Sequence, residues 1–276
     1  MKLKTKLTAL AVASALMGST AAMATSITTS TGTYADFGGF DWASNGLAVV
    51  DNFTLTAAGQ TANTTLSYWA SAATVVDPAQ AVLAGPSVGI LLGSYEYTII
   101  ANLTETAVCT SDNGAGFCTS SSFAITGGTW KIFYDTTKDA SRAAGTGYTD
   151  GDLLLSGHFD LGAAGSFGAL SAAGATGSIA LTGVVDYTNL MYINPALSNT
   201  IAGTELKIGN LRTDDGFLPT VDATDGSAVT CSRTGQGTIC MQADANQTFS
   251  RVPEPASLAL VGLGLLGLGA SRRRKQ

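Results

Sequence analysis

Residues 94–109, SYEYTIIANLTETAVC, carry the alternation that decides the fold class. Tyr95, Tyr97 and Ile99 alternate with Glu96 and Thr98, and a period of two residues is typical of a β-strand with one wetter face. The stretch TWKIFYD at residues 129–135 alternates in the same way. Both stretches therefore predict strands that turn one face toward a core.

Similar short apolar runs recur on both sides of this stretch. They include LAVVDNFTLT at residues 47–56, DLLLSGHFDL at 152–161 and SIALTGVVDY at 178–187. The chain has roughly seven or more such runs and no long amphipathic helix, and this pattern predicts an all-β fold. We expect a single domain over residues 25–240, arranged as a β-sandwich or in a Greek-key-like way. Residues 241–251 read as a linker.

The central part of the chain is more acidic than the whole. The whole chain has 14 basic and 20 acidic residues, a net charge of −6. Seven of the basic residues lie at positions 2–6 and 272–275, so residues 25–253 keep seven basic against 19 acidic residues, a net charge of −12. No basic stripe is present, which argues against a nucleic-acid partner.

Four cysteines form two similar local pairs. Cys109 and Cys118 lie in VCTSDNGAGFCT, and Cys231 and Cys240 lie in TCSRTGQGTICM. In an exported chain, an even number of cysteines predicts disulfides, and four cysteines allow three connectivities. We favour the local one, Cys109–Cys118 and Cys231–Cys240, because each pair would close one hairpin or loop. A zinc site is the alternative, but its cysteines usually lie two to four residues apart.

The first 24 residues have the three parts of a secretory signal peptide in order. Lys2, Lys4 and Lys6 are followed by an apolar run over residues 7–17 and by the small-x-small sequence that ends at Ala24. This order predicts export and cleavage after Ala24.

The last 25 residues combine three further parts. Val252, Pro253, Glu254 and Pro255 precede an apolar run at residues 256–270, and a basic tail comes next, formed by Arg272, Arg273, Arg274 and Lys275. As a helix the run would be about 22 Å long, whereas a bilayer core is about 30 Å thick. It therefore suits a transient membrane stop, with the basic tail on the cytoplasmic side. An ordinary C-terminal membrane anchor is the alternative.

This C-terminal arrangement, residues 252–276, resembles the PEP-CTERM sorting signal. The resemblance implies that a membrane-embedded, transpeptidase-like exosortase recognises the tail and removes it. The body would then be released to the cell surface or extracellular matrix. Such proteins are typical of Gram-negative bacteria that make extracellular polysaccharide. The membrane, the exosortase and exopolysaccharide or other matrix components are thus the expected partners.

The body also resembles the PEP-CTERM proteins associated with flocculation. The shared features are strands around GTYADF at residues 32–37 and an acidic loop before DLLLSGHFDL. The resemblance supplies no binding residues. It implies a role in cell aggregation, biofilm and flocculation together with exopolysaccharide, and we expect no enzyme activity.

The acidic loop offers the best candidate for a cofactor, a calcium ion. Asp135, Asp139, Asp150 and Asp152 lie in or beside it, and calcium prefers six to eight oxygen ligands. A second acidic group comprises Asp214, Asp215, Asp222 and Asp225. Neither group has EF-hand spacing, and acidic turn residues that face water are the simpler interpretation.

Two other function classes stay open from the sequence. A secreted carbohydrate-binding module would use calcium or exposed aromatic side chains, for which Trp42, Trp69 and Trp130 are the candidates, although core packing is their commoner fate. A secreted serine hydrolase would use Ser87 in GPSVG, which fits G-x-S-x-G. It would also need the only histidine, His158, and an acid such as Asp135.

Overall fold

The computed structural model describes residues 24–83, 94–171, 174–211, 217–232 and 236–250. Thirteen β-strands and no helix occur in these ranges, and they contain no helix of the length and apolar character that crossing a membrane requires. The strands are β1 Ser26–Thr29, β2 Gly32–Tyr34, β3 Gly39–Trp42, β4 Gly46–Phe53, β5 Thr61–Val76, β6 Glu96–Asp112, β7 Cys118–Asp135, β8 Asp152–Phe159, β9 Ala164–Ser171, β10 Gly174–Thr188, β11 Ile193–Asn194, β12 Ile201–Leu211 and β13 Gly237–Ser250. The predicted all-β class is confirmed.

The longest hairpin joins β6 and β7, which contain the two alternating stretches that predict the fold. The turn between them uses the Asn113 side chain, whose Oδ1 accepts the backbone N–H groups of Ala115 and Phe117. Gly114 takes a φ of 68° there, which glycine adopts without steric cost. The disulfide Cys109–Cys118 lies beside this turn, with a Cα–Cα distance of 5.8 Å.

The main sheet has ten antiparallel strands and closes on itself. Its hydrogen-bonded order is β12-β10-β8-β7-β6-β5-β3-β13-β4, β9 pairs with β10 and β7, and β12 also pairs with β13. Strand β13 therefore lies between β12 on one side and β3 and β4 on the other. A separate three-stranded sheet has the order β11-β1-β2.

The two ends of the main sheet differ in which strands start and finish there. We call the end at which β13 finishes at Ser250 the tail end. Because neighbouring strands are antiparallel, β5, β7 and β10 also finish there, and β3, β6, β8 and β12 begin there. The β6–β7 turn lies at the opposite end, whereas the turn between β8 and β9 lies partway along the sheet, where the Gly162 N–H donates to the oxygen of Ile125 in β7.

The interior of the closed sheet forms the larger core. Side chains at alternate positions fill it, and its largest fully buried members include Trp42, Trp130, Tyr97 and Phe40. Their rings pack against one another, as Phe40 does against Trp42 at 5.1 Å between centroids. The burial of such rings is the largest favourable contribution to the stability of the inward-facing side of each strand.

A second apolar layer covers part of the outer face of the same sheet. Trp69, a member of β5, is fully buried there together with side chains from four other strands and two covering loops, namely Leu47, Val49, Ile100, Phe133, Tyr148, Phe217 and Cys240. The covering segments are residues 136–151 and 217–232. The disulfide Cys231–Cys240 joins the second segment to β13, so both local pairings that the sequence favours are present.

Two predictions from the sequence are wrong. Residues 241–250, predicted to lie in a linker, form most of β13 and bury Ala243, Ala245 and Phe249. The side chains of Asp244, Asn246 and Thr248 between them are less buried, and together with the fully buried Gln247 they give the sequence a linker-like composition. The wetter face predicted at Glu96 and Thr98 is also wrong, because residues 136–151 cover it and leave both side chains under one-tenth exposed.

Several predictions fall outside the described residues. These are the signal peptide up to residue 23, the sorting residues Val252 to Pro255, the basic tail and Ser87. Ala24, the expected cleavage position, is described, and it is exposed just before β1.

Candidate functional site

The segment between β7 and β8 places the acidic residues at the tail end. It leaves β7 at Asp135, crosses the outer face of the sheet and returns to β8 at Asp152. The Thr98 hydroxyl donates to the backbone oxygen of Tyr148 at 2.8 Å, and the Tyr148 ring is buried in the outer layer. The loop is therefore held against the sheet at its middle, and its charged ends meet at the edge.

Three carboxylates converge at this edge. Oxygens of Asp135, Asp139 and Asp150 all lie within 4.8 Å of one another, with Asp135 half-buried and the other two exposed. Gly147 allows the approach, because it has a φ of 76° and a Cβ there would lie 2.6 Å from Asp139 Oδ1. The fourth candidate, Asp152, is not a member of this group, and its carboxylate accepts a hydrogen bond from the Tyr192 hydroxyl.

A fourth acid, which the sequence does not single out, lies beside the group. Glu96 is at the start of β6, opposite Asp135, and its Oε1 accepts the backbone N–H groups of Asp139 and Ala140, each at 2.9 Å. Burial raises the pKa of Glu96 above its usual value, and the two N–H donors partly offset that change. Glu96 therefore shapes the loop, whereas the alternation of the sequence alone predicts it on a wetter face.

The prediction of calcium at this group has a direct test. Millimolar calcium is expected to raise the Tm of the wild-type body, because a divalent cation relieves the repulsion among three clustered carboxylates. Asp139→Asn is expected to lose most of that rise. Asp225→Asn is the matched control, because it removes an exposed acid from another loop. Equal calcium responses of the wild type and both variants would contradict the prediction.

The second acidic group does not form such a cluster in the described residues. Asp214 and Asp215 lie outside them. Asp222 and Asp225 cap their own turns, with Asp222 Oδ1 accepting from Thr224 and Asp225 Oδ1 accepting from the Ser227 N–H. These contacts explain both side chains as turn residues.

The hydrolase arrangement is not assembled by the described residues. His158 pairs with Thr129 across β7 and β8, and Asp135 lies six residues further along β7, about 20 Å away at the rise of a strand. His158 Nδ1 instead contacts Asp186 at 2.9 Å on the exposed face. Asp135 is therefore wrong as the partner of His158.

The tryptophans do not provide a stacking surface for sugars. Trp42 and Trp130 are 1% exposed and Trp69 is fully buried, so all three are core residues. The candidate role of these side chains in carbohydrate stacking is wrong, and core packing explains each of them.

A polar groove runs along the outer face of β10, β12 and β13. Hydroxyl, amide and carboxylate side chains line it, mainly those of Asp41, Ser178, Thr182, Glu205, Gln242, Asp244, Asn246 and Thr248. Burial, and then the neighbouring charge of Asp244, raise the pKa of Asp41 above its usual value. The groove offers both donors and acceptors, which is the chemistry that binds hydroxyl-rich ligands.

Comparison with known proteins bears on the C-terminus. The family described as the PEP-CTERM protein-sorting motif matches residues 251–275. No curated protein and no solved structure matches the chain. The motif supports export, association of the C-terminus with the membrane and processing by an exosortase.

Proposed function

We propose that this protein is a non-catalytic component of the cell surface or extracellular matrix that acts in exopolysaccharide-associated cell aggregation, as in flocculation and biofilm formation. The match to the PEP-CTERM sorting motif carries the proposal, because it connects the folded body to an exosortase and to the cell exterior. The signal-peptide pattern at the other end of the chain supports the same route.

The body has properties that suit a matrix component. Residues 25–253 have a net charge of −12, which favours solubility and keeps free copies apart. The two disulfides suit an oxidising environment outside the cytoplasm. The polar groove on β10, β12 and β13 supplies a surface for a polysaccharide chain.

Fractionation of the native culture tests the proposal. The intact mass and the C-terminal peptide are expected to show a species that ends near residues 253–255, outside the cell or on its surface. Replacing Pro253 and Pro255 by alanine is expected to abolish that species and to reduce aggregation. Leu161→Ser, in the exposed turn between β8 and β9 and outside the sorting tail, is the matched control.

Two results would contradict the proposal. Wild-type protein that keeps residues 272–276 and stays in the inner membrane would show a plain anchor and overturn the processing step. If the protein is processed but its deletion leaves cell aggregation unchanged, the proposed role in aggregation is overturned and the processing step is not.

A secreted carbohydrate- or calcium-binding module is the second candidate. The convergence of Asp135, Asp139 and Asp150 favours it. Saturable binding of the purified body to polysaccharide, lost on addition of a chelator, separates this candidate from the first. Polysaccharide association that is insensitive to chelator favours the matrix role without a bound ion.

A further inference from the structure

Both chain ends leave the described body at the tail end. The backbone oxygen of Thr25 accepts the Phe37 N–H, and the Phe249 N–H donates to the oxygen of the next residue, Gly38. Ser250 pairs with Ile201 at the start of β12. The segments predicted to enter the membrane are therefore attached to the same side of the fold.

The connection to the C-terminal apolar run is short. Only residues 251–255 separate Ser250 from the run that begins at position 256. Six residue steps span at most about 20 Å when fully extended. Whenever the run is in the bilayer, the tail end is held within that distance of it.

Exposed apolar side chains are concentrated at this end. Among the described residues, six large hydrophobic side chains are exposed, and five of them lie at the tail end: Val82 at 67%, Tyr187 at 43%, Leu190 at 63%, Met191 at 78% and Ile201 at 40%. The sixth, Leu161 at 73%, lies in the turn after β8, partway along the sheet beside Ile125 of β7. A group of exposed apolar residues around one end marks an interaction site, whereas a single one does not.

The placement of these residues is explained by the strand ends. Leu190 and Met191 project from the loop after β10, and that loop is fixed because the Thr28 N–H donates to the oxygen of Tyr192. Val82 lies just after β5, where it forms a bridge with Val76. Ile201 starts β12 beside Ser250. The apolar side chains therefore surround the point from which the sorting tail leaves.

The charges at this end indicate which lipid surface fits. Carboxylates of Asp36, Asp77 and Asp152 lie among the same loops. Anionic headgroups would be repelled by them, so contact with lipid has to come from the apolar side chains.

We propose that the tail end docks on the membrane that holds the C-terminal run, with Val82, Leu190 and Met191 inserted among zwitterionic headgroups. Docking holds Val252 to Pro255 at the membrane surface, where a membrane-embedded exosortase works. The inference rests on the proposed function, since it requires the C-terminal run to enter a bilayer.

Site-specific fluorescence in reconstituted vesicles tests the docking. Residues 25–276, with the native disulfides already formed, receive one added cysteine each as Met191→Cys, Leu161→Cys or Leu263→Cys, labelled with an environment-sensitive dye. In phosphatidylcholine vesicles, the labels at 191 and 263 are expected to shift to the blue and to be quenched by spin-labelled lipid. The label at 161 is expected to stay unchanged. Adding phosphatidylglycerol is expected to reduce the shift at 191.

The three labels separate the possible failures. A shift at 263 without one at 191 would overturn the docking and leave the membrane-inserted tail intact. No shift at 263 would overturn both the membrane association and the docking. A shift at 191 that grows with protein concentration in the absence of vesicles would show contact between copies of this chain and overturn the lipid assignment.

Discussion

Replacing Glu105 by glutamine is expected to raise the free energy of unfolding at pH 8 by about 3 kcal/mol. The same replacement is expected to change it little at pH 4. The reason is that Glu105 points into the interior of the closed sheet and is only 5% exposed. Measurement of urea-induced unfolding at a series of pH values checks both expectations.

The environment of Glu105 is almost entirely apolar. It borders a cavity of about 20 Å³ whose other lining residues include Phe53, Leu66 and Phe123. The Thr64 hydroxyl donates to Glu105 Oε1 at 3.1 Å, and Oε2 has no partner among the described residues. Burial therefore raises the pKa of Glu105 from its usual value near 4.5 to about 7.

The raised pKa sets the direction of the pH dependence. In the folded state Glu105 keeps its proton up to about pH 7, whereas in the unfolded state it loses the proton near pH 4.5. The folded state binds more protons between these values, so stability is full below pH 4.5 and falls until pH 7. Glutamine cannot ionise and removes this fall.

An exposed glutamate provides the control. Glu205 lies on the outer face of β12, and its side chain is 54% exposed. Glu205→Gln is expected to leave the pH profile close to that of the wild type. A Glu105→Gln profile parallel to the wild-type one would show that the Glu105 carboxylate reaches water and that its pKa is near normal.

Replacing Trp69 by alanine is expected to lower the free energy of unfolding by about 3–5 kcal/mol. Trp69 is the largest side chain of the outer layer, and it is fully buried between the sheet and the two covering segments. Its removal leaves a cavity beneath Tyr148 and Phe217 and loosens the attachment of both segments. Chemical denaturation gives the loss, and near-ultraviolet circular dichroism shows the changed packing.

The smaller replacement Trp69→Phe is expected to cost less, because a ring still fills part of the space. Polysaccharide binding by the folded fraction of Trp69→Ala is expected to equal that of the wild type, since the ring is not available for stacking. A loss below about 1 kcal/mol would show that the outer layer is not packed. A selective loss of binding would make Trp69 a ligand contact after all.

The sequence predicts the strands well wherever one face is polar and the other apolar. Tyr95, Tyr97 and Ile99 are buried in the interior as their alternation indicates. The cysteine spacing also predicts both disulfides, because a pairing across eight residues fits the ends of a hairpin or loop. These features depend on local periodicity and short separations, which a single sequence displays.

Features that depend on contacts between distant segments cannot be predicted from local periodicity. Glu96 is buried because a loop some 40 residues later supplies two N–H donors to it. Residues 241–250 look like a linker because every second position is polar or small, and only pairing with β12 and β4 shows them to be a strand. The sequence predicts the three converging carboxylates only as members of one loop, since the distances between them depend on the fold.

The position of β13 has a consequence for the order of events during export. Asp41 pairs with Asn246, and these two residues are separated by almost the whole sequence of the body. The ring of hydrogen bonds therefore stays open until the last strand has crossed the membrane. Contacts between such distant segments form slowly. The exposed edges of β3 and β12 would meanwhile be templates for association with other chains. A tail that pauses in the bilayer keeps β13 close to its partners β3, β4 and β12 until the ring of hydrogen bonds has closed.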